Sequence, residues 1–245
     1  LPEGVNVWSL AYPTRSNAGL AIVASNRKVY FYDNKEVKNL GTAPEQVTSL
    51  AITADGKNII TGNKSGQVVF WDTNSGEQRV FVTDNQPIGA VKVSHNGKWL
   101  AVGNQAGKLR VYEIAKGADK PINLFGHNRE ITDIVFSNDD KQMASASMDK
   151  TVRVWNMSNL NTEPMVFNDY TTWVTALNFN ADGTKLVAGT KDRTVRFWYT
   201  DITKMSDYLC GKIKKNMSDE EWKRYVADDE DLPYEKTCGN LPKRE

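Results

Sequence analysis

A six-residue pattern recurs five times along the chain and constrains its fold more than any other feature. It reads KVYFYD at 28–33, QVVFWD at 67–72, KLRVYE at 108–113, TVRVWN at 151–156 and TVRFWY at 194–199. The copies end at 33, 72, 113, 156 and 199, so the steps are 39, 41, 43 and 43 residues. A period near forty marks a chain built from one unit that cannot bury its apolar faces alone and must stack on copies of itself. Val, Phe, Tyr and Trp dominate the pattern, and these side chains suit a strand buried on both faces.

Two further apolar runs precede each copy, separated by turn signals. In the second unit they are VTSLAI (47–52) and NIITGN (58–63), with Asp55-Gly56 between them and Ser65-Gly66 before the pattern itself. Asp-Gly between apolar runs signals a hairpin, because glycine accepts the positive φ of the turn. Asn96-Gly97 and Asp182-Gly183 hold the same place in the third and fifth units, and Asp139-Asp140 in the fourth. A more polar run follows at 36–40, 77–83, 121–125 and 164–167 and reads as an outer edge strand, whereas the fifth unit stops after its third strand at Tyr199. The expected fold is therefore all-β, made of five four-stranded propeller blades. A β-sandwich shares the short strands but does not require a repeat of about forty with an aromatic at one place. A seven-blade ring would need roughly 290 residues. Residues 1–200 are thus expected to form part of a larger ring whose earlier blades precede Leu1; the alternative is a five-blade ring whose last outer strand comes from elsewhere.

The units resemble WD repeats over about residues 5–199, with Trp71-Asp72 as the eponymous dipeptide and Gly126-His127 as the other half of the signature. The resemblance implies a structural tetrad of His127, Ser147, Asp149 and Trp155 in the fourth unit. Such a buried polar chain locks one register when all its members are bonded. Histidine, serine and aspartate together also evoke a catalytic triad, but the structural role is the expected one. The fifth unit has Thr190, Asp192 and Trp198 with Tyr170 at the histidine's place; the second has Asn63, Ser65 and Trp71, and the third Asn104, Ala106 and Tyr112. These blades are expected to be held mainly by packing.

Residues 201–245 read as a helical tail. MSDYLCGKIKKNM (205–217) and SDEEWKRYV (218–226) have helical spacing, and Ser218 with Glu221 forms a capping box. Trp222, Tyr225 and Val226 form a stripe expected to dock on the propeller, and Asp228-Asp229-Glu230-Asp231 reads as a solvated turn. Cys210 and Cys238 lie outside the repeats and are expected to be thiols of a reducing compartment, with a tail disulfide left open. LCGKIKKNMSDEEWKRYV and PYEKTCGNLP resemble the segment that closes many bacterial WD-repeat proteins. That resemblance implies a sensor or scaffold behind an upstream domain of the same polypeptide, of STAND nucleoside-triphosphatase or caspase-like type.

The composition narrows the function. A net charge of +1, from 31 basic and 30 acidic residues, does not favour a nucleic-acid partner. No apolar run reaches the roughly 18 residues of a membrane span. The chain opens at Leu1 without a signal peptide, so it is expected to be a piece of a longer cytoplasmic polypeptide. No cofactor or metal is expected: GNQAGKL (103–109) has one residue too few between its glycines for a phosphate loop, and Leu109 stands where Ser or Thr should be. The chain is not expected to be an enzyme. The alternative is a propeller hydrolase or lyase with a central-channel site, which needs converging acids or histidines in a chain that has two histidines. The favoured function is a non-catalytic protein–protein interaction scaffold or sensor. Loops leading into the first strand of each blade meet at one rim, near Asn6, Trp8, Gln46, Pro87, Arg129, Glu130 and Trp173. Trp8, Gln46, Arg129, Glu130 and Trp173 are the expected partner-binding residues, since Trp and Arg concentrate interface energy; the competing expectation is that a Trp at a strand start packs beneath its own loop.

Overall fold

Every copy of the repeated pattern is the third strand of an antiparallel sheet. The computed structural model describes residues 5–14, 19–212, 215–225 and 238–239. The first sheet is β1 (Val7–Ala11), β2 (Leu20–Ala24), β3 (Lys28–Tyr32) and β4 (Val37–Thr42); the second is β5 (Val47–Ile52), β6 (Asn58–Asn63), β7 (Gln67–Asp72) and β8 (Gln78–Thr83). The third is β9 (Ile88–Val93), β10 (Trp99–Asn104), β11 (Leu109–Glu113) and β12 (Ile122–Leu124), and the fourth is β13 (Ile131–Phe136), β14 (Gln142–Ser147), β15 (Val152–Asn156) and β16 (Met165–Phe167). The fifth has three strands: β17 (Val174–Phe179), β18 (Lys185–Thr190) and β19 (Val195–Tyr199). Each sheet runs in chain order, as meandering hairpins dictate, and the all-β architecture of five repeated antiparallel sheets expected from the repeat is the one found.

The core lies between the sheets rather than within them. Val23, Val29 and Phe31 of the first sheet pack against Val47, Ile59, Val69 and Trp71 of the second. Ile60, Val68 and Phe70 then face Ile88, Val91 and Tyr112 of the third, and Ala101, Leu109 and Val111 face Ile131, Met143 and Trp155 of the fourth. Alternate residues of one central strand thus serve two different seams, which is why the pattern is apolar at successive positions. The fixed aromatic near its end packs back on the preceding sheet: Trp71, Tyr112 and Trp155 are 0%, 1% and 3% exposed.

Turn chemistry adds a second tie. Gly56 takes φ 75° in the β5–β6 hairpin, and in the equivalent β13–β14 turn Asp140 adopts φ 55°. Aspartate tolerates the left-handed region better than most residues, and here its carboxylate has a use across the seam. It accepts from the backbone N–H groups of His95 (2.8 Å) and Asn96 (2.7 Å) in the third sheet's hairpin, and the Nδ1 of His95 lies 3.1 Å away.

The chain divides into two compact units, Leu1–Phe197 and Trp198–Glu245. In the second, α1 (Ile202–Cys210) starts three residues before the expected 205, because the Asp201 carboxylate caps the amides of Thr203 and Lys204. The helix stops at Cys210 rather than running on to 217. A second helix, α2 (Asp219–Tyr225), begins at the expected capping box, with Ser218 N–H donating to Glu221 Oε2 and Glu221 N–H to Ser218 Oγ. The expected pair of free thiols is overturned: Cys210 and Cys238 form a disulfide. The Asn216 side chain holds the same junction, donating to the carbonyl of Cys238 and accepting from its N–H, both at 2.8 Å. Val226 of the expected stripe and the acidic run at 228–231 lie outside the described residues.

Candidate partner-binding rim

Asn6, Gln46, Pro87, Glu130 and Trp173 each stand one residue before the first strand of a sheet. Their carbonyls accept from the N–H of Ser25, Lys64, Gln105, Met148 and Lys191, the residue that follows the second strand, at 2.9–3.1 Å. The five positions are thus equivalent and share one edge of the sheets. The backbone of this edge is thereby satisfied within each sheet.

Two residues further on, the register of the first strand shifts, between Val7 and Ser9, Val47 and Ser49, Ile131 and Asp133, and Val174 and Ala176. A bulge of this kind re-aims one side chain. Thr48 and Thr132, the bulged residues of the second and fourth sheets, donate across the seam to the carbonyls of Ile88 and Val174, both at 2.6 Å. The next residue completes the tie. Ser49 Oγ accepts from Val91 N–H at 2.9 Å, and Asp133 accepts from Leu177 N–H at 2.7 Å and from its neighbour Ile134 at 2.8 Å. Burial pushes the Asp133 carboxyl above its ordinary value, against those bonds and the charge of Lys92.

Trp8 holds the bulged position in the first sheet, where a threonine would latch. The indole turns outward instead, 58% exposed, and with Ser25, Gln46 and Val47 lines a cleft of about 240 Å³ between the first and second sheets. Arg129 is exposed on the same edge of the fourth sheet. Glu130 is half-buried and lies 3.5 Å from the Gln105 amide of the third sheet. Trp173 is half-buried beneath Lys191, whose Nζ sits 4.0 Å from the ring centroid, a cation–π contact with its own sheet. The structure therefore joins Trp8 and Gln46 in one cleft and sets Arg129, Glu130 and Trp173 along the same edge.

The buried network of the fourth sheet differs from the expected tetrad by one residue. His127 Nδ1 lies 2.8 Å from Asp149 Oδ2, and its Nε2 lies 2.9 Å from the hydroxyl of Ser145, not Ser147. The Trp155 Nε1–H donates to the same Ser145 oxygen at 2.9 Å. Ser147 donates instead to the carbonyl of Arg129. Both serines lie on one face of β14 because strand side chains alternate, so the face alone could not separate them. The spacing to the tryptophan could: Ser145 is ten residues before Trp155, and Thr61, ten before Trp71, accepts from that indole in the second sheet. The interatomic distances are those of a Ser-His-Asp triad, yet Ser145 is 0% exposed and its oxygen already takes the indole proton, so no substrate carbonyl can reach it.

Burial alone would raise the Asp149 carboxyl, but hydrogen bonds from His127 and Thr151 outweigh it and hold the group well below the usual carboxylate range. A folded-state value below the unfolded one stabilises above the unfolded value and is lost as pH falls through the folded value. Stability should therefore decline on acidification between about pH 5 and pH 2, more steeply in the native chain than in Asp149→Asn. Urea unfolding at stepped pH checks this; parallel slopes for the two proteins would refute it.

Three segments, residues 34–72, 119–156 and 161–199, match the family model described as WD domain, G-beta repeat. Each starts near the fourth strand of one sheet and ends with the third strand of the next, so a sequence repeat straddles two blades, and the last one ends where the fifth sheet still has three strands. Among curated proteins, Pre-mRNA-processing factor 19 of Schizosaccharomyces pombe is 31% identical over 98 residues, 39% of this chain and 20% of that protein. A WD repeat-containing protein WDS homolog of Arabidopsis thaliana is 27% identical over 98 residues, 40% of this chain and 18% of that protein. The match spans about a fifth of the length of these relatives.

Proposed function

We propose that this chain, a WD-repeat protein by its blades and its three matched segments, is a non-catalytic protein-interaction scaffold whose partner sits on the rim. One observation carries the reading. Five equivalent strand starts satisfy their backbone within each sheet, and Trp8, Gln46, Arg129, Glu130 and Trp173 lie at or beside them along one edge, with an exposed indole beside a cleft. A rigid edge with Trp and Arg side chains is the usual composition of an interface centre. Among the described residues, the Ser145–His127–Asp149 arrangement, which resembles an enzyme's triad, has its histidine and aspartate side chains sealed from solvent.

The likeness of the tail to the end of bacterial WD-repeat proteins supports a narrower role, as the sensor part of a signalling polypeptide with an upstream effector domain. That likeness alone carries the bacterial part, since the two relatives named above are from a yeast and a plant. Cytoplasmic residence belongs to the same reading and has one observation against it, the Cys210–Cys238 disulfide, because cytosolic thiols are kept reduced. No helix among the described residues is long and apolar enough to cross a membrane.

The test is affinity isolation of the native polypeptide beside Trp8→Ala and Arg129→Ala, with retained proteins quantified. Both side chains are exposed, so neither change should move the unfolding midpoint. A partner held through the rim should be retained at least about tenfold less by the variants. Equal retention by all three proteins, or turnover of a small molecule by the native polypeptide, would sink the proposal.

A further inference from the structure

The turn between the second and third strands of each sheet lies at the rim, next to the strand starts. Its third residue has a positive φ in all five sheets: Arg27 (67°), Gly66 (81°), Gly107 (85°), Lys150 (69°) and Arg193 (67°). Glycine suits such a backbone best, because a Cβ there crowds the carbonyl that follows. In the second and third sheets space also demands it. A Cβ on Gly66 would lie 2.2 Å from the carbonyl oxygen of Asp84, and one on Gly107 would lie 2.8 Å from that of His127. Those two turns carry their cation beside the glycine, as Lys64 and Lys108. Every turn of the set thus presents a cation, and three of them hold it where glycine would be less strained.

The five side chains are exposed, and none forms an ion pair among the described residues. Arg27 is held in place by a bond from its Nη1 to the carbonyl of Pro44 at 2.9 Å. The acids of this edge are mostly engaged elsewhere: Asp149 with His127, Asp169 with Arg196, and Asp192 with the hydroxyls of Thr190 and Thr194. Glu45 is exposed among the cations. The opposite edge is built the other way. There Lys38 pairs with Asp33 at 2.9 Å, Lys116 with Glu113 at 2.7 Å and Lys141 with Asp139 at 3.5 Å, each within its own sheet. The net charge of +1 is therefore the sum of two unlike edges, and the positive charge that stays uncompensated collects on the rim.

We propose that the rim takes an acidic segment of a partner protein, whose Asp and Glu carboxylates pair with the turn cations of neighbouring sheets. This rests on the reading of the rim as the partner site and names the chemistry of what sits there. A row of unpaired cations steers an anionic partner and fixes its register. A nucleic acid is the weaker occupant. Its binding draws on a continuous basic groove that tracks the phosphates, whereas these cations come singly or in pairs, one turn at a time, in a chain with almost no net charge.

The experiment measures fluorescence anisotropy of a labelled oligoglutamate peptide with the native polypeptide, with Lys150→Gly/Arg193→Gly, and with Lys57→Ala/Lys141→Ala. The two double variants lose the same charge at opposite edges. The native protein should bind the peptide, and the glycine pair should weaken binding by about fivefold or more. Raising NaCl from roughly 50 to roughly 300 mM should weaken native binding by about the same factor. The alanine pair should stay within about twofold of native. The glycine pair should not lower the unfolding midpoint, since glycine already holds this φ in two sheets, so a loss of binding is not a loss of fold. Equal affinities for the two double variants would overturn the proposal, and so would tighter binding of an oligothymidylate of equal charge than of the peptide. The rim reading is separable from it. If the native partner is lost by Trp8→Ala and Arg129→Ala but kept by the glycine pair, the rim still binds and the acidic segment falls.

Discussion

Trp71→Ala is expected to lower the unfolding free energy by about 4 kcal/mol, the middle of the range for removing a large buried aromatic side chain. Trp71 is 0% exposed and stands at the seam of the first and second sheets, among Val23, Val29, Phe31 and Ile59. Its removal takes dispersion contacts from both sheets at once, and neither can collapse into the gap without breaking strand pairing. It also strips the Thr61 hydroxyl of its indole donor, 2.9 Å away. Trp71→Phe keeps most of the apolar area and should cost far less, about 1–2 kcal/mol for the lost hydrogen bond and the imperfect fit. Trp8→Ala is the internal control, since its indole is 58% exposed and should change stability by less than about 0.5 kcal/mol. Urea denaturation of the three variants gives the ranking. A Trp71→Ala protein as stable as Trp8→Ala would show that the seam does not hold these sheets together.

The architecture was readable because each sheet is folded from one stretch of sequence. Asn58–Asn63 and Gln67–Asp72 are strands over the same residues that the alternation marks, with the Ser65-Gly66 turn between them. What joins the sheets was not readable in the same way. Thr48 finds Ile88, and Thr132 finds Val174, about a full repeat away, and only the bulge sends those hydroxyls across the seam. The bulged position carries no single residue type by which it could be found, since Trp8, Thr48, Gly89, Thr132 and Thr175 occupy it in the five sheets.

The rim positions were legible as a set because they precede apolar runs at constant spacing. Their exposures were not, because those depend on neighbours: Lys191 covers Trp173, while the residues around Trp8 leave it open. The tail shows the limits of local signals. The capping box at Ser218 sufficed to start α2, but the cap at Asp201 was hidden by the strand that ends two residues earlier at Tyr199. The disulfide depends on a meeting of two thiols 28 residues apart, which no periodicity encodes.

Asp84→Ala should cost about 3 kcal/mol, because it removes one member of a buried pair and leaves the other charged. Asp84 lies four residues before Ile88, the place that His127 holds before Ile131, so an acid here does the work of the histidine. Its Oδ1 accepts from Asn104 Nδ2 (3.1 Å) and Gln86 N–H (3.0 Å), and its Oδ2 from Arg110 Nη1 (2.5 Å). The side chains of Asp84 and Arg110 are 3% and 15% exposed, so water could not replace the lost carboxylate at the guanidinium. Burial raises the Asp84 carboxyl, yet the bonds from Asn104 and Gln86 and the Arg110 charge prevail and hold it below its ordinary value. Asp84→Asn keeps the shape and some of the acceptors, so it should cost less than alanine. Replacing both partners, as in Asp84→Leu with Arg110→Met, should be milder than Asp84→Ala despite being the larger change, since it leaves no uncompensated charge. The third sheet was expected to rest mainly on packing, for want of the histidine. A double-mutant cycle with a coupling near zero would restore that view; a coupling above about 1.5 kcal/mol would show that a second polar tie, of different chemistry, fixes the loop carrying Gln86 and Pro87 to the rim.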